Sequence, residues 1–202
     1  YFNLDIMIII TLRNLICIIG LLCFLPFLCI ASLLIILEDG FPVFFSQKRI
    51  GKSKTIFTMF KIRTMQKNTP ELGTHDLDKV FQLKTGKIIR AIKLDEFPQL
   101  INVLKGELNL VGPRPGLENQ IELMDERIAL DIYAVKPGIT GISQILGYNM
   151  SNPKKLAKVD KIFVENQSVT LKILILLGTF FKYPRKYLSN MYKIEIQKKE
   201  PL

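Results

Sequence analysis

The chain has 202 residues, 49% of them hydrophobic, no tryptophan, and 28 Lys and Arg against 18 Asp and Glu, for a formal charge of +10. That balance excludes general disorder, which needs a chain poor in apolar residues, and the apolar excess lies at the N-terminus, which implicates a membrane. Cys17, Cys23 and Cys29 all fall in that apolar run, so no disulfide framework is expected in the remainder. His75 is the only histidine; a zinc site lacks ligands, and His75 reads as a surface residue.

From Asn14 to Leu37 no residue is charged, and about 20 apolar residues suffice to cross a bilayer core. The stretch exceeds a signal-peptide core of roughly 7 to 15 residues. Pro26, near its middle, removes a backbone donor and crowds the preceding turn, so the helix is expected to bend or break at Leu25-Pro26. Two topologies follow: a spanning helix, or a re-entrant one that turns at Pro26 and leaves on the side it entered. Arg13 precedes the run; Lys48, Arg49, Lys52, Lys54, Lys61, Arg63 and Lys67 follow it, with no acid between Phe41 and Lys67. The positive-inside bias puts that basic side in the cytoplasm. Residues 1–37 are thus expected to be the membrane element and 38–202 a single domain of ordinary size.

Beyond Gly40, Pro42 to Phe45 and Lys54 to Phe60 read as short strands around a basic turn, Lys48 to Lys52. Gln66 to Asp78 is polar with Pro70 and Gly73, a loop; an apolar rhythm resumes through Ile88, Ile89 and Ile92. Leu94 to Gly106 carries helix signals: acidic Asp95 and Glu96 first, an early Pro98, apolar Leu100, Ile101, Val103 and Leu104, and a terminal Lys-Gly. Gly112-Pro113-Arg114-Pro115-Gly116 cannot be regular structure, because two prolines fix the torsions around one arginine. Glu118 to Tyr133 reads as a charged surface helix, and Lys136-Pro137-Gly138 suits a type II turn. Val169 to Phe181 is aliphatic and followed by Lys182, Arg185 and Lys186. It fits an interfacial amphipathic helix over about 169–183; a buried core helix reads equally well.

Adjacent carboxylates at a helix start are ordinarily capping groups. The same physics permits chemistry: an ionised carboxylate can attack phosphorus while its neighbour holds a hard divalent cation. Arg114, in its proline cage, offers bidentate donors to a phosphate at small entropic cost.

Four ordered blocks carry a resemblance. They are Gln47-Lys48-Arg49-Ile50-Gly51 with Phe57, Lys61, Arg63, Thr64 and Met65; Arg90 followed by Leu94-Asp95-Glu96-Phe97-Pro98-Gln99-Leu100 and Asn102-Val103-Leu104-Lys105-Gly106; Leu110-Val111-Gly112-Pro113-Arg114-Pro115; and Lys136-Pro137-Gly138-Ile139-Thr140-Gly141. Along almost its whole length the chain resembles the bacterial sugar transferases, the small monotopic polyprenyl-phosphate phosphoglycosyl transferases. The resemblance implies an α+β fold: a small, mostly helical domain with short strands, an N-terminal re-entrant (helix-break-helix) membrane element at Pro26, and a late interfacial helix. It implies an enzyme of the bacterial inner membrane, its catalytic domain on the cytoplasmic face. Such an enzyme moves a sugar 1-phosphate from a UDP-sugar to an undecaprenyl-type polyprenyl phosphate, beginning the synthesis of a cell-surface glycoconjugate such as exopolysaccharide, lipopolysaccharide or capsule. By matching position, Asp95 is the nucleophile that forms an aspartyl phosphosugar, Glu96 holds Mg²⁺, and Arg114 and Arg90 contact phosphate. Partners are the UDP-sugar, the polyprenyl phosphate and membrane lipid; no nucleic acid is expected, since no recognition module is present.

The sequence departs from the family pattern at Leu25, where Ser is common, at Lys93, at Ile142-Ser143-Gln144 in place of Trp-Ala-Gln, at Tyr148 in place of an arginine, and at Phe163 in place of a tyrosine. These bear on re-entry and on sugar or nucleotide contacts. A catalytically silent, lipid-binding module is the competing reading. For topology, a cysteine placed before Tyr1 is expected to stay unlabelled by an impermeant reagent in intact cells. Labelling there establishes a spanning helix.

Overall fold

The computed structural model describes residues 2–69 and 81–197. His75 and the expected loop beyond Thr69 lie outside the described residues. The described chain divides into two compact units, one of residues 2–47, 58–69 and 81–106, the other of 48–57 and 107–197. Its short strands form two separate two-stranded sheets among many helices, an α+β fold.

In the first unit, α1 (Phe2–Asp39) is helical without interruption through Pro26. It is apolar on all sides, yet only one stripe is used inside the protein. Phe24, Leu28, Ala31 and Ile35, spaced by three or four residues, pack with Val43, Ile62, Leu83, Ile89 and Leu94. Leu22, Leu25, Phe27, Ile30, Leu33, Leu34 and Leu37 stay exposed, the distribution of a helix made for a second apolar environment. The part from Ile10 to Asp39 is long and apolar enough to cross a membrane. Gly40, at φ +65°, ends α1 in the left-handed conformation that glycine adopts without steric cost. The guanidinium of Arg63, buried, donates to the Asp39 carboxylate and to the Gly40 and Pro42 carbonyls, which ties the helix exit to the following strands.

Strands β1 (Phe44–Ile50) and β2 (Ile56–Ile62) pair in one sheet; a five-residue link permits only the antiparallel arrangement. The base of this hairpin belongs to the first unit and its tip to the second. The basic turn expected at Lys48 to Lys52 is mostly strand: β1 carries Lys48, Arg49 and Ile50, and the reversal comes at the 3-10 turn Lys52–Lys54. Burial accompanies the difference, since Arg49 and Ile50 at the end of the strand are both buried, on opposite faces of it.

Helix α2 (Lys84–Ala91) begins without a side-chain cap of its own. Glu38 of α1 supplies it, accepting hydrogen bonds from the Lys84 and Thr85 amides at 2.6 and 2.9 Å. Gly86 lets α2 approach the chain just after β2: a Cβ there would lie 2.2 Å from the Thr64 carbonyl oxygen. The helix expected over 94–106 is shorter and divided, into a 3-10 turn at Leu94–Glu96 and α3 (Gln99–Leu104). Pro98 has no amide to give to the Leu94 carbonyl four residues back, which instead accepts from Phe97 at 3.3 Å.

In the second unit, β3 (Asn109–Val111) and β4 (Gly138–Thr140) pair in parallel, Asn109 opposite Gly138 and Val111 opposite Thr140. The crossover contains α4 (Ile121–Ala129) and a 3-10 turn at Ile132–Ala134. The helix expected over 118–133 is broken by Asp131, which turns left-handed at φ 54°. Helices α5 (Ile142–Ile145), α6 (Pro153–Glu165), α7 (Val169–Phe180) and α8 (Lys182–Tyr192) follow. Side chains of Asn152 and Ser168 cap α6 and α7. Their core joins Val111, Ile142, Ile145, Leu146, Val159, Phe163, Leu171, Ile175 and Leu188. In the 169–181 segment Leu171 and Ile175 are in that core, as the core-helix reading expects, whereas Val169, Ile173, Phe180 and, on α8, Tyr183 and Tyr187 are exposed beside the exposed Lys182 and Lys186.

Gly138 is strand, not the left-handed corner of a type II turn. Its need is space, because a Cβ there would lie 2.0 Å from the Gly112 nitrogen. Gly138→Ala is therefore expected to cost about 1–3 kcal/mol or more in thermal unfolding, since the obstacle is backbone that cannot swing aside. Gly116→Ala, whose Cβ would meet nothing nearer than 3.6 Å, is the control expected to melt close to the unmodified chain.

Candidate active site

The carboxylate pair is built entirely by the first unit. Helix α2 ends at Ala91, Lys93 reverses the chain at φ 59°, and Asp95 and Glu96 follow on the 3-10 turn. They precede α3 and do not occupy its first turn. A six-residue helix has little dipole to offer, so the capping reading loses its electrostatic motive. Asp95 is 8% exposed and Glu96 is half-buried. Burial of an acid in a turn is unusual for a solvated cap.

Three contacts fix the turn. Below it, the ring of Phe97 lies on Phe24 of α1, centroids 3.4 Å apart and planes at 4°. After it, fully buried Asn102 clamps α3 to β2: its Oδ1 accepts from the Phe60 amide at 3.1 Å and its Nδ2 donates to the Thr58 carbonyl at 2.7 Å. Before it, Arg90 in the last turn of α2 donates from Nε to Thr64 Oγ1 at 2.7 Å. That bond holds one edge of the guanidinium and sets the plane in which its terminal nitrogens lie. Thr64 and Asn102 occur within the recognised blocks, but nothing in their spacing announces these bonds.

Arg114 belongs to the second unit, half-exposed between buried Pro113 and Pro115. On one side of its loop the Gly138 amide donates to the Pro113 carbonyl at 3.0 Å, and the Gly112 amide to Thr140 at 2.9 Å. On the other, Arg49 Nη1 donates to the Pro115 carbonyl at 3.1 Å and the Ile50 amide to Gly116 at 3.0 Å. Burial, with the charge of Arg114 nearby, pulls the Arg49 guanidinium down to about 9. The loop is braced on both sides, with cations gathered where an anion would be stabilised.

Deeper in this unit Asp160, 1% exposed, accepts from Arg127 Nη2 and Ser143 Oγ, both at 2.6 Å. Phe163 packs in the core nearby. Ser143 thus serves a buried ion pair. Tyr148 donates through its hydroxyl to the Glu195 carbonyl at 3.0 Å, anchoring the C-terminal segment. Leu25 lies exposed on α1.

Among the described residues, no group of three or more His, Cys, Asp or Glu could hold a metal ion. Asp95 and Glu96 are still a hard-oxygen donor set that suits Mg²⁺, which commonly takes one or two carboxylates and completes its shell with water and substrate phosphate.

The family model described as bacterial sugar transferase matches residues 7–186. The chain is 44% identical over 146 residues to the uncharacterized sugar transferase EpsL of Bacillus subtilis (strain 168), covering 72% of each. It is 36% identical to the UDP-N-acetylgalactosamine-undecaprenyl-phosphate N-acetylgalactosaminephosphotransferase of Aeromonas hydrophila, over 73% of this chain and 37% of that protein. It is 32% identical to the undecaprenyl-phosphate galactose phosphotransferase of Salmonella typhimurium, over 71% of this chain and 34% of that protein. The chain therefore spans about a third of the length of these last two relatives.

Asn102→Ala is expected to lower stability by about 1–3 kcal/mol, because it strips two backbone groups of β2 of their side-chain partner. An unchanged melting temperature would remove Asn102 from the clamp.

Proposed function

The chain belongs to the bacterial sugar transferase family, and on that premise we propose that it moves a sugar 1-phosphate from a UDP-sugar to a polyprenyl phosphate through a covalent intermediate on Asp95. The observation that carries this reading is the pair itself: two adjacent carboxylates, the first nearly buried, on a turn fixed by Pro98, Asn102 and the Phe24–Phe97 stack. The names of the Aeromonas and Salmonella relatives, both undecaprenyl-phosphate phosphotransferases, support the acceptor.

A carboxylate oxygen of Asp95 attacks the sugar-bearing phosphorus of the UDP-sugar; an O–P bond forms, the bond to the UMP oxygen breaks, and UMP departs with that electron pair. An oxygen of the polyprenyl phosphate then attacks the same phosphorus. The bond to Asp95 breaks, regenerating the carboxylate and giving the polyprenyl diphosphate sugar. Glu96 would hold Mg²⁺, which when bound offsets phosphate charge. Arg114 and Arg90 bind phosphate oxygens, each preset by its own bracing bonds.

Residues 1–37 are the embedded element and 38–202 the catalytic domain, on the cytoplasmic face of a bacterial inner membrane. The exposed apolar sides of α1 and of α7 with α8, the latter beside Lys182 and Lys186, support contact with anionic lipid. Pro26 and the basic flanks support re-entry. Because α1 is continuous through Pro26, re-entry needs α1 to bend there and not to break.

The test is exchange of labelled UMP into UDP-sugar without acceptor, using a donor that supports turnover. Exchange and ping-pong kinetics are expected, both abolished by Asp95→Asn, whose amide is isosteric but no anion. Arg114→Ala is expected to slow exchange and full turnover alike, by about 10²-fold. Glu96→Gln is expected to weaken the Mg²⁺ dependence. Intersecting initial-rate lines with no exchange would overturn the covalent step.

A further inference from the structure

From Asp95 to Leu104 the chain winds right-handed without a break, through the 3-10 turn, Phe97 and Pro98 into α3. The buried residues of this stretch are Asp95, Pro98, Gln99, Asn102 and Val103, spaced alternately three and one apart, so they share one face. Three of them are polar, which is unusual for an inner face. Asn102 has its purpose there, since both of its amide atoms bond β2. Gln99 has none: it is 2% exposed, yet its Nε2 finds no acceptor among the described residues. A buried donor left alone lowers stability, because water bonds it in the unfolded chain. An apolar side chain would avoid that loss, so the amide at this position needs another reason.

We propose that Gln99 is a catalytic residue of the acid-pair turn: its Nε2 donates a hydrogen bond to a non-bridging oxygen of the phosphoryl group that Asp95 receives. The inference rests on the reading of Asp95 as the nucleophile, and gives a role to a residue that the matching of Asp95, Glu96, Arg90 and Arg114 leaves without one. Asp95 lies one turn earlier on the same face, and side chains four apart on such a spiral have Cβ atoms about 5–6 Å from each other. A phosphoryl group on an Asp95 oxygen extends into that gap and brings an acceptor to the orphan donor. Charge builds on its oxygens during transfer, so a donor fixed in advance by burial acts most strongly in the transition state. An amide suits the place better than a cation. It donates without charge, so it does not pair with the Asp95 carboxylate and blunt its attack. No proton moves, and no bond to Gln99 forms or breaks.

The test uses the full chain in lipid nanodiscs with Mg²⁺ and a UDP-sugar that supports turnover, and measures UMP exchange, full turnover and thermal unfolding. Gln99→Met keeps the length of the side chain and removes the donor. It is expected to melt at or above the unmodified chain, while exchange at saturating UDP-sugar slows by about 10²-fold and the KM for UDP-sugar moves by less than about 2-fold. Gln99→Glu supplies a donor only while its carboxyl is protonated, and burial beside Asp95 raises that carboxyl. Its exchange rate relative to the unmodified chain is therefore expected to rise as pH falls. Unchanged exchange in Gln99→Met overturns the proposal and leaves the covalent reading standing. A melting temperature that falls in step with the rate makes Gln99 structural and overturns it too, as does a Gln99→Glu rate ratio that is flat with pH. Turnover without exchange in the unmodified chain overturns the covalent reading instead. The kcat of the full reaction then decides Gln99: an equal fall in Gln99→Met upholds the donor, and an unchanged kcat removes it.

Discussion

One stripe of α1 must lie inside protein while the remainder of the same helix must not, and the first unit is organised around that division. Phe24, Leu28, Ala31 and Ile35 are its contribution to the core; Leu22, Phe27, Ile30, Leu33 and Leu37 remain exposed on its other sides. Apolar surface removed from water stabilises by about 25 cal/mol per Å² wherever it goes, and only the inner stripe of this helix gains that within the protein. The same helix caps α2 through Glu38 and supports the acid pair through Phe24. A segment read from hydropathy as an anchor is therefore also a structural wall of the turn that bears Asp95 and Glu96.

The second unit uses a different constraint, backbone proximity. β3 and β4 pair so closely at Gly112 and Gly138 that neither can carry a side chain without displacing main chain. That closeness makes the proline loop rigid, because the Gly112 amide and the Pro113 carbonyl are both committed to β4. The prolines limit what torsions the loop explores, and the hydrogen bonds from Gly138, Arg49 and Ile50 select one of them. Rigidity around a flexible arginine reduces the entropy lost in any contact that its side chain makes. Beneath it, the Arg127–Asp160 pair is buried on both sides with Ser143 as a third partner; leaving either charge alone would be strongly unfavourable.

Several local readings of the sequence changed for physical reasons that no single-residue preference contains. Arg49 belongs to a strand because its buried position has a carbonyl to meet 66 residues away. Leu94 to Gly106 divides because Pro98 withholds one amide. Gly138 looks like a turn residue beside Pro137, but the neighbouring strand requires the glycine for lack of space. The apolar helix α7 buries one face in the core and leaves another exposed, since a helix has more than one face.

The sequence by itself determined the candidate site residues and their local frame: an uncharged N-terminal run, the adjacent Asp95 and Glu96, Arg90 five residues earlier, and Arg114 between prolines. These are written in residue identity and short spacing, where composition and backbone stereochemistry act directly. Only the tertiary structure decided which stripe of α1 is internal, that Asn102 clamps α3 and that Thr64 orients Arg90. It also decided that Arg49 reaches the carbonyl beside Arg114. Those bonds join residues 26 to 66 positions apart. Their existence depends on how distant segments pack, because a hydrogen bond is specified by two positions in space and a sequence pattern by neighbours along one chain.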